Sequence, residues 1–231
     1  MRGMRARAVH SRLASFVFGG SCFVCRGAAR ELLCDACDAE LPRLTAPACP
    51  RCALASPGGL VCGRCLRDDP AYDATRAPLA YEFPADALIQ ALKFRGELAL
   101  APLLAALVAP SLGDERIDCI VPVPLSRERL QRRGYNQAME IARHLGRGRP
   151  EATLCERTRD APPQMELPYG ERRRNVRGAF RCTRELMGAT VAVVDDVMTT
   201  GATLDELART LKRAGALRVV NWIVARTPPH D

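Results

Sequence analysis

The sequence has 231 residues, of which 48% are hydrophobic and 26% charged, and its formal net charge is +8 at pH 7. This length suits one ordinary domain with a small module, and no apolar stretch approaches the ~18 uncharged residues of a membrane span, so we expect no membrane insertion. Arginines concentrate in 126–133 and 171–177, as they would around a polyanionic ligand, although solvated loop charge accounts equally well for any single one of them.

Residues 1–21 form a basic and then mildly apolar stretch. No small-residue cleavage site follows it, and the chain runs directly into a cysteine-rich segment, which argues against a secretory signal peptide. We therefore expect an N-terminal extension and a cytoplasmic protein.

The next segment is organised by cysteines, which form four C-x-x-C pairs. The pairs are Cys22 with Cys25, Cys34 with Cys37, Cys49 with Cys52, and Cys62 with Cys65. A C-x-x-C turn directs two thiolates to one point, and two such turns complete the tetrahedral sulfur site that Zn²⁺ prefers. Disulfides are disfavoured because nothing indicates secretion, and a redox role is disfavoured because that motif follows a strand in a βαβ unit.

These pairs predict a zinc-ribbon module over 22–67 that holds one or two structural zinc ions. Pairing in chain order closes the shorter loops and is favoured, whereas alternate pairing costs little more loop entropy and stays open. About 45 residues with few large apolar side chains cannot hold a core alone, so the metal would supply the folding free energy. A polar stretch with Pro70 and Pro78 then marks the boundary to a second domain, predicted over 76–231.

The second domain alternates helix and strand patterns. Helices are predicted within 84–110, over 136–146 from an Asn136 cap, and over 202–215, and strands over 117–124, 153–155, 178–182, 190–197 and 217–225. This alternation predicts an α/β fold with a doubly wound, mostly parallel sheet. The remaining cysteines, Cys119, Cys155 and Cys182, lie in apolar or strand-like surroundings and are expected to be small core residues.

The segment VVDDVMTTGAT, residues 193 to 203, ends one predicted strand with two carboxylates, Asp195 and Asp196. Ligands of open parallel sheets bind beyond the carboxyl ends of the strands. The turn 198–201 leads into a helix, whose free N–H groups attract phosphate, while threonine hydroxyls and Gly201 add donors and allow close backbone approach. An ordinary strand–turn–helix explains one acid as a helix cap but not two, so the pattern favours a phosphorylated ribose, with the carboxylates on sugar hydroxyls or a divalent ion.

This segment resembles the phosphoribosyl pyrophosphate (PRPP) signature of type I phosphoribosyltransferases. From about Cys22 to Ala225 the chain also resembles the ComF family, bacterial proteins in which a double zinc ribbon is joined to a type I phosphoribosyltransferase-like domain. The further motifs that carry this resemblance are LIQALKFRGE (88–97), VPVPLSRERLQRRGYNQA (121–138), RTRDAPPQ (157–164) and ERRRNVRGAF (171–180).

The resemblance implies a role for each part of the site. Asp195 and Asp196 would contact the ribose hydroxyls and Mg²⁺. The 5′-phosphate loop would be Thr199, Thr200, Gly201, Ala202 and Thr203, and the pyrophosphate loop would be Val123, Pro124, Leu125, Ser126, Arg127, Arg132 and Arg133. Lys93 is either a phosphate contact or a surface helix residue. Segment 157–175 corresponds to a mobile loop that closes over the site, although Ala161 stands where the family is expected to have a threonine.

The resemblance also implies a role in DNA uptake during natural transformation, with two alternative activities. One is transfer of phosphoribosyl from PRPP to an acceptor with release of pyrophosphate, chemistry that needs positioning and charge stabilisation rather than a protein nucleophile. The other is a non-catalytic adaptor that binds nucleotide or single-stranded DNA for a competence helicase. We favour the first.

Overall fold

A computed structural model describes residues 20–159 and 176–228 of the chain. The polypeptide divides into two compact units, Met1–Leu41 and Pro42–Asp231, so the division falls between the second and third C-x-x-C pairs. Most of the predicted N-terminal extension and of the predicted closing loop lies outside the described residues, as does Ala161.

The described part of the first unit is a small hairpin followed by a short helix. Strands β1 (Gly20–Ser21) and β2 (Ala28–Ala29) pair antiparallel. Between them the chain turns at the first C-x-x-C pair, where the Arg26 N–H donates to the Cys22 carbonyl over 2.9 Å. Helix α1 (Asp35–Ala39) begins directly after Cys34, which brings the second pair to the start of a helix.

The second unit contains the α/β domain. Its strands are β3 (Ala74–Arg76), β4 (Leu79–Ala80), β5 (Cys119–Pro122), β6 (Cys155–Arg157), β7 (Phe180–Cys182), β8 (Thr190–Met198) and β9 (Arg218–Arg226). Its helices are α2 (Gly63–Asp68), α3 (Ala85–Phe94), α4 (Leu100–Val108), α5 (Arg127–Arg133), α6 (Gln137–Arg143) and α7 (Ala202–Arg213). Within the described ranges every helix is too short or too polar to cross a bilayer.

The central sheet is parallel throughout. Its strand order is β3–β9–β8–β5, and β4 also pairs with β9. The long strands β8 and β9 read as near-continuous apolar runs, as expected for parallel strands buried on both faces. Val191 and Val193 of β8 pack with Leu207 and Leu211 of α7 in the main core cluster, while α6 and α4 pack against β8 and β9. The predicted α/β class with a mostly parallel sheet is confirmed.

The register of this sheet brings two loops together. Strands β5 and β8 are parallel neighbours, with Pro122 opposite Val194, so their carboxyl ends lie at the same edge. The Val123 N–H continues this pairing by donating to the Val194 carbonyl over 2.9 Å. The loop after β5 and the acidic pair of β8 are therefore adjacent.

Two parts of the fold differ from the sequence prediction. Strand β3 lies in the proline-containing stretch that is predicted as a boundary, β4 directly follows that stretch, and both pair in parallel with the long strand β9. Strands β6 and β7 were predicted as members of the alternating pattern, but they pair antiparallel with each other instead. Backbone bonds from Thr158 to Ala179 and from Thr183 to Leu154 extend that separate ladder.

Candidate active site and metal centres

The eight cysteines of the C-x-x-C pairs form two separate tetrads. Within each tetrad the four Sγ atoms lie within 4.8 Å of one another. The first tetrad is Cys22, Cys25, Cys34 and Cys37, and the second tetrad is Cys49, Cys52, Cys62 and Cys65. Pairing in chain order, the favoured alternative, is confirmed by this geometry. Four converging sulfurs match a closed, tetrahedral zinc site, which leaves no position for substrate and is therefore structural.

Backbone N–H groups stabilise the thiolate form of one cysteine in each tetrad. The Cys34 N–H lies 3.5 Å from the Cys22 Sγ, and the Cys62 N–H lies 3.3 Å from the Cys49 Sγ. Burial acts to raise the pKa of both thiols, but the backbone N–H groups outweigh it and lower the pKa of Cys22 to about 6 and that of Cys49 to about 7. Because zinc binds the thiolate form, both tetrads fit the metal.

The acidic pair lies near the carboxyl end of β8. Asp196 is 3% exposed, so its charge needs a partner. Its Oδ1 accepts the Val197 N–H over 2.8 Å, and its Oδ2 lies 3.1 Å from the Lys93 Nζ. Beyond this ion pair, Oδ2 has no further partner among the described residues. The Asp195 Oδ1 accepts the Asp196 N–H over 2.9 Å.

Burial and charge shift the ionisation of this cluster. Burial, reinforced by the Asp196 charge, raises the pKa of Asp195 well above its usual range, and Lys93 only partly opposes the shift. The negative charge of Asp196 raises the pKa of Lys93 despite the partial burial of the amine. Burial lowers the pKa of Arg133, while the charge of Asp196 opposes this. Two acids and two bases therefore share one partly desolvated site, as functional sites often do.

The loop after β5 runs along one side of the acidic pair. Val123 and Pro124 are buried at its start, Leu125 is half-buried, and the buried Ser126 caps α5 by accepting the Arg129 N–H over 3.4 Å. Of the predicted pyrophosphate arginines, Arg127 and Arg132 are exposed on α5. Arg133 is half-buried, donates to the Gln137 Oε1, and stacks over the Phe94 ring at 5.6 Å.

Lys93 comes to the site from a different element. It occupies the last turn of α3, and its side chain is 29% exposed. Tyr135 fixes this helix end because its hydroxyl donates to the Leu92 carbonyl. Lys93 is thus paired with Asp196 rather than extended into solvent, and its predicted phosphate contact stays a prediction.

The segment from Thr199 to Thr203 forms the turn into α7. Gly201 caps this helix with a φ of 83°, a left-handed conformation that favours glycine. A Cβ at Gly201 would lie 2.7 Å from the Met198 Cε and 3.0 Å from the Tyr72 hydroxyl, so the turn also has no room for a side chain. The Thr200 Oγ1 accepts the Ala202 N–H over 3.2 Å.

Two arginines that the sequence did not indicate hold the back of this turn. Arg226 is 2% exposed, and its Nη1 donates to the carbonyls of Met198, over 2.7 Å, and of Thr199. The Arg64 Nη2 donates to the Thr200 carbonyl over 3.2 Å. One signal was available for Arg226, because it is a charged residue that directly continues the apolar run of a buried strand.

Comparison with known proteins agrees with both parts of this description. Residues 13–66 match the double zinc ribbon domain family, and residues 130–228 match the phosphoribosyl transferase domain family. The chain is 34% identical over 223 residues to the DNA utilization protein YhgH of Salmonella typhimurium strain LT2, covering 90% of this chain and 97% of that protein. Competence protein F of Haemophilus influenzae is 31% identical over 226 residues, covering 90% and 98%. Competence protein ComFC of Bacillus subtilis strain 168 is 26% identical over 196 residues, or 80% of each protein.

The fold and the matches together define a class of protein in which a double zinc ribbon is joined to a phosphoribosyltransferase-type α/β domain. Identity above 30% over nine-tenths of the chain then identifies the family. This chain belongs to the ComF family, which includes competence protein F.

Proposed function

We propose that the chain binds PRPP with Mg²⁺ at the carboxyl edge of β5 and β8 and transfers its phosphoribosyl group to an acceptor, releasing pyrophosphate. The observation that carries this proposal is an acidic pair, half-buried Asp195 and buried Asp196, near the end of a strand that leads through a glycine-capped turn into α7. Asp195 and Asp196 are the acceptors for the two ribose hydroxyls, and the Oδ2 of Asp196 is one oxygen that the Lys93 ammonium contacts and a hydroxyl can replace.

The 5′-phosphate belongs at the turn from Thr199 to Thr203. The first N–H groups of a helix carry no intrahelical partner and bear partial positive charge, so α7 suits an anion at its start. The threonine hydroxyls add donors, and the absence of a side chain at Gly201 lets the turn pack closely against Met198 and Tyr72. The pyrophosphate belongs at the loop from Val123 to Ser126, with the guanidinium groups of Arg127, Arg132 and Arg133 on its charge.

The chemistry assigned to these residues is mainly electrostatic. Breaking the C1–pyrophosphate bond develops positive charge on the sugar and negative charge on the leaving group. The carboxylates that contact the ribose stabilise the positive charge on the sugar. The arginines beside the pyrophosphate stabilise the negative charge on the leaving group. Magnesium, where it accompanies PRPP, neutralises further pyrophosphate charge. Lys93 is released from Asp196 when the ribose hydroxyls replace it, which frees its amine to contact a phosphate oxygen.

The names of the relatives support a setting in DNA utilization and competence. For that setting we propose single-stranded DNA and a DNA-uptake helicase as candidate partners. The second candidate function is a non-catalytic adaptor that uses the same pocket only to bind PRPP or a nucleotide, and what favours it is that these names mention DNA and competence but no transferase. Release of pyrophosphate separates the two, because the adaptor binds PRPP without hydrolysing or transferring it.

Calorimetry on the full-length, zinc-loaded protein tests the proposal. We expect saturable heat when PRPP and Mg²⁺ are titrated in, and loss of that heat in the Asp195→Asn/Asp196→Asn double variant. The matched control is Asp114→Asn, which removes an exposed carboxylate and should bind PRPP like the parent protein. Absence of any heat beyond dilution in the parent protein would contradict the proposal, as would equal binding by the double variant.

A further inference from the structure

The second cysteine tetrad lies directly behind the phosphate-binding turn. Both belong to the compact unit that begins at Pro42. Each of the two C-x-x-C turns of this tetrad contributes one arginine-mediated contact to the turn after β8. These two contacts involve Arg226, at the end of β9, and Arg64, which stands between Cys62 and Cys65.

Arg226 joins the first of these C-x-x-C turns to the phosphate-binding turn. Its Nε donates to the carbonyl of Cys52 over 2.9 Å, and its Nη1 donates to the carbonyls of Met198 and Thr199. Cys52 is itself fully buried within the tetrad. A guanidinium presents its donors in a rigid plane, so the position of the Cys52 carbonyl restricts where the Nη1 of the same side chain can lie.

Arg64 joins the second C-x-x-C turn to Thr200, the next residue of the phosphate-binding turn. Its backbone is set by α2, which starts between Cys62 and Cys65, and its Nη2 donates to the Thr200 carbonyl over 3.2 Å. Three consecutive carbonyls, those of Met198, Thr199 and Thr200, are thereby directed toward guanidinium groups on the tetrad side of the turn.

The direction of the carbonyls fixes the direction of the amides. In a planar trans peptide the C=O of one residue points opposite to the N–H of the next. The N–H groups of Thr199, Thr200 and Gly201 are therefore turned away from the two arginines, toward the opposite side of the turn. That is the side on which consecutive N–H groups at the start of α7 would meet a phosphate.

We propose that the metal of the second tetrad, acting through the positioning residues Arg64 and Arg226, orients the amides of residues 199–201 and so sets the affinity for the 5′-phosphate end of the ligand. The inference rests on the proposed function, because it assigns the phosphate to this turn. It gives the second tetrad a role in ligand binding besides folding, and it does not extend to the first tetrad. The affinity for the pyrophosphate end of the ligand, which the loop after β5 binds, should not depend on the second tetrad or on these two arginines.

Two ligand probes separate the ends of the site. Ribose 5-phosphate reports on the turn after β8, and magnesium pyrophosphate reports on the loop after β5. In full-length, zinc-loaded protein, Arg64→Ala should weaken ribose 5-phosphate about tenfold, the loss expected for one charge-assisted hydrogen bond, and change magnesium pyrophosphate affinity less than about twofold. Arg64→Lys should recover part of the loss because it keeps a charged donor.

The matched control is Arg67→Ala on the same helix α2. The Arg67 side chain is 76% exposed and contacts Asp68, so its removal tests whether any arginine in α2 has the same effect. We expect Arg67→Ala to bind both probes like the parent protein. Equal losses for both probes in Arg64→Ala, or no loss for either, would overturn the inference.

A cysteine pair of variants tests the metal itself. Cys62→Ser removes a ligand from the second tetrad and should abolish ribose 5-phosphate binding, whereas Cys25→Ser removes a ligand from the first tetrad and should leave it unchanged. Metal content measured on both variants shows which site has lost zinc. If Cys25→Ser weakens ribose 5-phosphate as much as Cys62→Ser, the coupling is not specific to the second tetrad and the inference is wrong.

A ligand-free measurement separates this inference from the proposed function. A hydrogen bond to a carbonyl polarises the whole peptide group, so Arg64→Ala should shift the amide NMR resonance of Gly201, and Arg67→Ala should not. If the parent protein binds neither probe, the proposed function fails, while the Gly201 resonance still decides whether Arg64 holds the turn. An unmoved resonance in Arg64→Ala would refute the positioning role.

Discussion

Asp195 and Asp196 lie where two adjacent carboxylates lower the stability of the free protein but can serve to bind a ligand. Both are in a largely buried strand, and burial together with the negative charge of Asp196 raises the pKa of Asp195 and disfavours its ionisation. Lys93 lies beside Asp196, and its amine offsets only part of this effect at Asp195. Carboxylates that are destabilising in the free protein are retained where they contact something in the bound state, which is the stability–function trade-off of many binding sites.

This trade-off predicts an opposite effect of one substitution on stability and on binding. The raised pKa of Asp195 means that its proton stabilises the folded state, so this contribution is complete below the unfolded pKa of 3.8 and is lost as the pH rises through the folded pKa. Asp195→Asn removes the titration. Its melting temperature should therefore exceed that of the parent protein by a margin that grows as the pH rises, while PRPP binding is lost.

Thermal unfolding from pH 4 to 9, without ligand, measures this margin. Asp114→Asn is the control for the loss of one carboxylate at an exposed position. A melting temperature for Asp195→Asn that stays below the parent protein at every pH would show that the ionised Asp195 is stabilising, contrary to the burial argument.

At the scale of elements, the β6–β7 ladder places two thiols side by side. Cys155 and Cys182 are directly opposite each other, and their Sγ atoms are 3.0 Å apart. The backbone bonds from Thr158 to Ala179 and from Thr183 to Leu154 mark the hydrogen-bonded positions, so the cysteines occupy a non-hydrogen-bonded pair, where side chains lie closest. Cys155 is buried and Cys182 is packed against the same core, so the prediction that these cysteines, with Cys119, are core residues agrees with their burial.

We predict that glutathione disulfide converts this pair into a Cys155–Cys182 disulfide, with two molecules of glutathione released as thiol. A non-hydrogen-bonded antiparallel pair has its Cα atoms about 4.5 Å apart, which lies within the range that a disulfide spans. The bond should stabilise the second unit by about 3 kcal/mol through restriction of the unfolded chain, raising its melting temperature by several degrees. Peptide mapping locates the bond, and Cys182→Ser is the control. Oxidation that lowers the melting temperature, or that leaves both thiols free, would contradict the prediction.

The same elements show how far the sequence alone could reach. Strands β8 and β9 and helix α7 were predictable because apolar period, strand length and a glycine turn all agree in that stretch. The cross-strand partner of Cys155 was not, because antiparallel pairing across a long connection leaves no local pattern. Arg64 and Arg226 were missed for a related reason. Arg64 contacts the Thr200 carbonyl and Arg226 contacts the Cys52 carbonyl, and each partner is distant in the sequence, so only the tertiary structure brings the groups together.

At the scale of the whole molecule, the two units depend on metal to different degrees. In the described part of the first unit, the buried apolar residues are Cys22, Leu33 and Leu41, too few to hold a core without help. Of the second tetrad, Cys49, Cys52 and Cys65 belong instead to the main core cluster, together with residues of β5, β8, β9 and α7, and Cys62 packs against it. Loss of metal should therefore unfold the first unit outright, while the second unit keeps its sheet.

Limited trypsin digestion and tryptophan fluorescence together test this difference in Cys25→Ser. The first unit offers cleavage sites at Arg26 and Arg30, which should be cut within minutes in the variant and resist in the zinc-loaded parent. Trp222 is the chain's one tryptophan and is 2% exposed in β9, so its emission reports the second unit and should not change. Zinc added back to the parent protein after chelation should restore resistance, because its ligands are intact. A red shift of Trp222 emission in Cys25→Ser would show that the units fold as one, and the separate metal dependence would then be wrong.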